Sequence, residues 1–331
     1  MVQKVWQIIR VLDMTEKNVK IVGIGACVMD TLVTVPNYPK EDSKLRALSS
    51  KAAGGGPTGT GLVAAQKLGE QAAYIGVLSD DNGGVFLRKD FEKYGMDTQF
   101  IEEKEGFRSF TSYIWLAQDT ATRTIVFDKG NLPPLQLNEK QKQAIIDSEI
   151  LMIDGNEIDA AEEACKIARA NNTKVLYDCG GLYEGVERLL KLTDVMIPSE
   201  EFSLGHTGCD NVEDAAKKLY EIYHPEVVVI TCGKEGGIIY DGANLERYPA
   251  FLVEAVDTNG SGDVFHGAFA AAMMKGYSYK ECCLFASATS AIKCTGVGAR
   301  ESVPNAEAVY EFLKNRGVVL DITDSHDEVK C

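Results

Sequence analysis

The stretch Val256–Gly276, VDTNGSGDVFHGAFAAAMMKG, sets a two-glycine turn directly before an apolar helix. Val256-Asp257-Thr258 reads as the end of a strand or the loop just past it. Asn259–Gly262 is a turn of small residues, and Val264–Met274 is apolar, with Phe265 and Phe269 one helical turn apart. A helix opening at Gly260, Ser261 and Gly262 aims its unpaired N–H groups and its dipole at the turn, so an anion is the natural guest. Asp263 sits in that first turn. It is either a plain partner of the helix dipole or a carboxylate that takes a proton from a hydroxyl while the amides hold the charge of a transferred phosphoryl group. The second reading points to phosphoryl transfer to an alcohol.

Outward from this stretch, strands alternate with helices. Strands are expected at Val19–Gly25, Gln71–Val77, Ile150–Ile153, Lys174–Asp178, Val195–Ile197 and Glu226–Thr231. Helices are expected at Gly61–Leu68, Val85–Tyr94, Ala160–Ala170, Leu182–Leu192 and Val212–Tyr223. That rhythm predicts an α/β protein whose mostly parallel sheet is covered on both faces. Two segments break it. Residues 31–50 hold no helix pattern and contain Pro36 and Pro39. Residues 98–127 alternate, with RSFTSYIWLA and ATRTIVF about a turn at Gln118–Ala121, and read as a hairpin. Both are either edge strands of the main sheet or, as preferred here, a small separate sheet able to cover a site as a lid. Residues 236–248 read as an antiparallel pair turning at Gly242. In the hairpin Phe110, Ile114 and Leu116 share one parity, Tyr113 and Trp115 the other. Apolar residues on both faces predict pairing with a second subunit.

Lys and Arg number 34 against 49 Asp and Glu, a net charge of −15, which argues against a nucleic-acid or anionic-membrane surface as the protein's general purpose. No apolar run is long enough to span a membrane. Residues 1–18 read as a short extension and 316–331 as a tail ending in the polar ITDSHDEVKC. Nine cysteines, an odd number without a CxxC pair, fit reduced thiols in a cytoplasmic protein. Four histidines show no metal-ligand spacing.

In an α/β sheet the cleft lies beyond the carboxyl ends of the strands. Asp30, after the apolar Cys27-Val28-Met29, is either a loop cap or a ligand for two vicinal hydroxyls. The run Gly54–Gly61, GGGPTGTG, either lets backbone approach a bound molecule or serves as a hinge ahead of a helix. Arg108 and Arg123 in the hairpin, together with Lys44, are the contacts expected for an anionic substrate; the alternative is that they are solvated surface charges.

The Val256 stretch resembles the signature of the PfkB or ribokinase family of carbohydrate kinases, Asp-Thr, one residue, then Gly-Ala-Gly-Asp, with Ser261 in place of Ala. Further segments resemble the family in the same order. Aligned on Lys67-Leu68-Gly69, the family's Gly-Gly pair falls on Gly55 and Gly56 and its Asn on Thr60, while Asp30 matches its sugar-binding Asp. Gly76–Leu87 resembles its Gly-x-x-Gly-x-Asp-x-x-Gly segment through Asp81 and Gly84, with Ser79 in place of the second Gly, and Arg123 the Arg of its Gly-x-x-x-Arg-Thr hairpin. Glu226–Gly237 resembles the strand ending in Thr-x-Gly-x-x-Gly, which implies Thr231, Gly233 and Gly236 against the nucleotide. Lys234 is either a point charge near phosphate or a surface lysine. The small-residue helix Cys282–Lys293 and the turn Thr295–Ala299 resemble the part bordering the adenine, with Lys293 and Gly298 as the implied contacts. Ile197–Phe202 matches the Pro-Asn-x-x-Glu region with Ser199 for Asn and Phe202 for Glu, so Glu200 or Glu201 would reach the magnesium from a neighbouring position, through water. Asp257 and the Thr295–Ala299 turn also resemble a monovalent-cation loop.

The resemblance covers residues 19–315. It implies a ribokinase-like three-layer αβα sandwich with a small β-sheet lid (segments 31–50 and 98–127), homodimers paired through the lid, ATP and Mg²⁺ as cofactors, and K⁺ as a further cation. The Gly-Gly-Pro-x-x-Thr variant resembles fructokinase-like and ketohexokinase-like members and implies a ketohexose acceptor such as fructose. Ribose, a sugar acid, a sugar phosphate or a nucleoside are the alternatives. From a different class, Gly23-Ile24-Gly25 invites an NAD-dependent dehydrogenase, but Val28 stands where the third glycine belongs. The Walker A pattern is absent.

Overall fold

The computed structural model of the protein describes residues 19–120 and 122–321. The expected extension at 1–18, Ala121 of the hairpin turn and the ITDSHDEVKC tail lie outside the described residues. The strands are β1 (Ile21–Ile24), β2 (Val28–Val35), β3 (Ser49–Gly55), β4 (Ala72–Tyr74), β5 (Gly76–Ser79), β6 (Ile101–Lys104), β7 (Thr111–Ala117), β8 (Thr122–Asp128), β9 (Ile150–Ile153), β10 (Lys174–Cys179), β11 (Val195–Pro198), β12 (Val227–Thr231), β13 (Gly237–Tyr240) and β14 (Leu245–Tyr248).

The main sheet runs β14-β13-β12-β11-β10-β9-β1-β4. Pairing is parallel from β4 to β12, and β13 and β14 add an antiparallel edge. The reason is in the side chains: IVGI, ILMI and VMIP are buried throughout, as strands covered on both faces must be. Alternate residues feed opposite cores. Val227 and Val229 join Leu62, Phe269 and Phe285 on one side, whereas Val228 and Ile230 join Ala164, Phe202 and Leu219 on the other. Helices Pro57–Lys67, Ser261–Met274 and Tyr279–Cys294 supply the first core, and Ile158–Ala170 and Val212–Tyr223 supply the second. The result is the three-layer αβα sandwich expected from the sequence.

A second sheet, β3-β2-β7-β8, stands apart. β2 pairs antiparallel with β3 and parallel with β7, and β7 with β8 forms the expected hairpin. Four expectations change. Asp30 is not in a loop but inside β2, where it faces Ser112 of β7. The strand expected over Gln71–Val77 divides at Ile75: β4 stays in the main sheet and β5 pairs with β6. Residues 98–110 therefore do not belong to the hairpin. The helix expected over Leu182–Leu192 shrinks to Val186–Leu190, because Gly185, at φ 88°, breaks it.

Candidate active site

Gly260 adopts a left-handed conformation, φ 72°, and caps the Ser261–Met274 helix. A Cβ there would lie 2.6 Å from that of Ala299, so only glycine fits. The Ser261 N–H turns back to the Thr258 carbonyl at 3.3 Å, so not every amide of the turn faces a guest. The N–H groups of Gly262 and Asp263, in the helix's first turn, lack intrahelical acceptors. Beside Gly262 there is open space.

Asp263 opens on one side of this turn, into a cavity of about 310 Å³ also lined by Asp30, Gly55, Gly56, Thr60, Ser112 and Lys129. Gly262, Ser261 and Thr258 open on the other, into a cavity of about 350 Å³. The turn thus lies between two compartments. Burial, then the charge of Asp178, raises the Asp263 carboxyl to about 7, with His266 opposing. His266 lies with Nδ1 2.6 Å from the Gly262 carbonyl oxygen and 3.1 Å from Asp178 Oδ2, and with Nε2 3.1 Å from the Ile197 carbonyl oxygen.

In the first cavity Asp30 accepts from Ser112 Oγ at 2.6 Å. Burial raises its carboxyl to about 6, and the Ser112 hydrogen bond and the Arg300 charge restrain the rise. Gly55 is where Asp30 needs room, since a Cβ there would lie 2.1 Å from Asp30 Oδ2. Gly56, φ 86°, caps the helix that Pro57 begins. Thr60 is fully buried, lines the cavity, and its hydroxyl has no protein partner. A buried polar atom without a partner is costly, so a polar guest is the natural complement. Arg300 holds the glycine cradle from behind. It is 0% exposed and donates to Asp90 Oδ2 at 2.8 Å and to the Gly55 carbonyl at 2.6 Å.

The second cavity gathers Thr231, Gly233, Lys234, Gly236 and, from the Tyr279–Cys294 helix, Ser287, Ser290 and Ala291. Apolar Phe251, Leu252 and Val253 line it as well. Arg123 of the small sheet donates to Thr258 Oγ1 at 3.3 Å, so it reaches the turn rather than the first cavity.

Other expected site residues do not converge. Lys44 is exposed in a loop. Arg108 is captured by Asp128 at 2.6 Å and is 64% exposed. Lys293 is not at the nucleotide cavity: its ammonium is buried and donates to the carbonyls of Asp257 and Asn259. Gly298 donates its N–H to Asp257 Oδ2 at 2.9 Å and lines neither cavity. Glu200 is exposed in the first turn of the Glu200–Thr207 helix, an ordinary dipole position, and no cluster of three acidic, His or Cys ligands for a metal exists among the described residues. A divalent ion would therefore depend on nucleotide phosphates and water for most of its shell.

Several site residues escaped the sequence reading. Asp154 follows β9 and accepts from Ala26 N at 2.7 Å, Thr58 N at 3.0 Å and Thr58 Oγ1 at 2.9 Å, pinning the start of the Pro57–Lys67 helix. Asp178 is the penultimate residue of β10 and lies beside His266. Both stand at carboxyl ends of parallel strands, a position that could have marked them. Lys129, Asn156 and Tyr183 line the first cavity from loops without a local signature.

Residues 18–306 match the pfkB family of carbohydrate kinases, and the chain belongs to that family. It is 27% identical to the ribokinase of Haemophilus influenzae over 298 residues, spanning 88% of this chain and 97% of that one. It is also 27% identical to the 5-dehydro-2-deoxygluconokinase of Clostridium beijerinckii, over 90% of this chain and 94% of the relative. The crystal structure of ribokinase from Thermotoga maritima superposes with a TM-score of 0.78 at 25% identity, covering 90% of this chain and all of that one, 100%. The protein is therefore an ATP-dependent carbohydrate kinase, a phosphotransferase acting on an alcohol group. The dehydrogenase alternative falls away. The narrower fructokinase-like or ketohexokinase-like assignment does not gain support, because these relatives are named for other acceptors.

Proposed function

We propose that the cavity at Asp30 and Thr60 receives a ribose-like sugar and that the cavity at Thr231 and Gly233 receives ATP. The observation that carries this reading is the turn Gly260–Asp263 between the two cavities, with Asp263 lining one and Gly262, in the open first turn of the helix, lining the other. Asp30 and the unpartnered Thr60 hydroxyl take sugar hydroxyls. Asp263 takes the proton of the attacking hydroxyl as its oxygen bonds to the γ-phosphorus and the bond to ADP breaks. The Gly262 and Asp263 amides hold the charge on the transferring oxygens. Mg²⁺, bound to the ATP phosphates, would supply charge neutralisation. Its protein contacts here are few, with Glu200, which follows the Ser199 bridged to Thr231 at the end of β12, as the acidic candidate. The catalytic unit extends over residues 19–315, and the free cysteines suit a cytoplasmic setting.

Ribose replaces the expected ketohexose because two full-length relatives in the ribokinase group carry that name. A second reading, a sugar acid, is favoured by Lys129, the cation lining the acceptor cavity, and by the relatives named 5-dehydro-2-deoxygluconokinase. The test is ADP release with Mg²⁺ and ATP across ribose, fructose, 5-dehydro-2-deoxygluconate, ribose 1-phosphate and adenosine. Ribose should give the highest kcat/KM. Preference for the acid, lost in Lys129→Ala, would establish the second reading. In a folded Asp263→Asn protein turnover should fall about 10²-fold or more; near-normal turnover would remove Asp263 from its role.

A further inference from the structure

A K⁺ ion bound beside the anion turn would need protein oxygens facing an open space. The residues of the loop do not fit it. The carbonyls of Asp257 and Asn259 converge on Lys293 Nζ, the first at 2.8 Å and the second closer. Both carboxylate oxygens of Asp257 are also taken: Oδ1 accepts from Asn259 N at 2.8 Å and Oδ2 from Gly298 N at 2.9 Å. The facing segment is equally occupied. The Cys294 carbonyl accepts from Val256 N at 2.8 Å and Asp257 N at 3.1 Å, and the Val297 carbonyl from Ser302 Oγ at 3.0 Å. Each of these oxygens already has a protein donor.

What fills the place is the end of a lysine. Lys293 lies in the last turn of the Tyr279–Cys294 helix and is 0% exposed. A helix C-terminus favours a cation, and carbonyl oxygens favour an ammonium much as they favour K⁺. Burial pulls the Lys293 pKa down, while Asp257 and, more weakly, Asp263 push it up. The two residues whose carbonyls it grips, Asp257 and Asn259, lead directly into Gly260–Asp263.

We propose that the Lys293 ammonium is a covalently tethered replacement for a monovalent cation, that it positions the Gly260–Asp263 turn, and that this enzyme works without K⁺. The inference rests on the reading of that turn as the phosphate site. Lys293 is a positioning residue, since it touches neither cavity.

The test compares wild type with Lys293→Met, a neutral side chain of similar length, in KCl, NH₄Cl and tetramethylammonium chloride at equal ionic strength. MgADP affinity and the melting temperature are read besides turnover. For wild type, all three should be the same in each salt. Lys293→Met should lose about tenfold in MgADP affinity in tetramethylammonium, the effect of one lost charge-assisted hydrogen bond, and regain part of it in K⁺ or NH₄⁺. A severalfold gain by wild type in K⁺ would overturn the proposal, and this arm stands even if the variant does not fold. Wild-type affinity in Lys293→Met, or a loss that no cation relieves, would overturn it too. Failure of wild type to bind MgADP in any salt would refute the phosphate-site reading instead, while the melting series still reports on the cation.

Discussion

Replacing Gly55 by alanine should damage sugar recognition and spare the nucleotide. Gly55 ends β3, and its new methyl would lie 2.1 Å from Asp30 Oδ2 and 2.7 Å from Asp30 Cγ, against the 3.4 Å or more of an ordinary contact. The carboxylate must retreat by about 1 Å, a displacement of the size that spoils a hydrogen bond. It cannot retreat toward β7, because Ser112 Oγ already holds it at 2.6 Å. The space left is the cavity itself. Losing a hydrogen bond to a charged group costs about 1.5–3 kcal/mol, which is roughly a 10- to 150-fold fall in kcat/KM for the sugar. The KM for ATP should stay within about twofold, since that cavity lies across the turn. Steady-state ADP release with each substrate varied in turn gives both numbers, and a thermal melt shows whether the variant is folded. A folded Gly55→Ala enzyme with unchanged kcat/KM for its sugar would refute the assignment of Asp30 to the acceptor.

Four further outcomes follow from the same geometry. Asp263, raised to about 7 by burial and Asp178, must be ionised to accept a proton, so kcat/KM should fall about tenfold per pH unit below about 7; a flat profile from about pH 5.5 to 8 would refute its role. Because its folded pKa lies above its ordinary 3.8, the stability linked to its proton is full below about pH 4 and is lost as pH rises through about 7, so Asp263→Asn should gain stability over wild type at about pH 8 and lose that gain toward pH 4 in urea titrations. Arg300→Leu would strand Asp90, 7% exposed, without its partner and should cost about 3–5 kcal/mol; a loss below about 1 kcal/mol by chemical denaturation would show that the ion pair is dispensable. The outer face of the small sheet leaves Tyr113 51% and Val126 52% exposed, directly paired across β7 and β8, and should form a homodimer interface that Tyr113→Glu disrupts; light scattering showing wild type as a monomer at micromolar concentration would count against it.

Much of this was legible because apolar periodicity reports burial directly. β9, β10, β12 and the Val212–Tyr223 helix stand within a residue or two of where their patterns place them, and the small sheet was visible as two interruptions of the αβ rhythm. The turn before Val264 was readable because glycine and a first-turn acid have few other uses in that order. What escaped was set by tertiary partners. Arg108 and Arg123 look alike in sequence, but Asp128 lies beside the first and Thr258 beside the second. Lys293 carries no local sign that two carbonyls 34 and 36 residues away would capture it. Lys129 follows β8 directly and lines the cavity through the placement of the small sheet, which no local pattern marks.

The small sheet has one further consequence, which concerns how such an enzyme changes over generations. Asp30 and Leu32 of β2 and Ser112 and Ile114 of β7 are in register, and all four are buried, while Tyr113 between them points away. Side chains alternate with a period of two, so inserting one residue ahead of Ser112 would exchange the whole set. Tyr113 and Trp115 would then fill the acceptor space. Substitutions at even positions can retune the choice of sugar, and substitutions at odd positions can adapt the exterior to whatever covers it. The phosphate turn, anchored on the other body of the molecule, takes part in neither change.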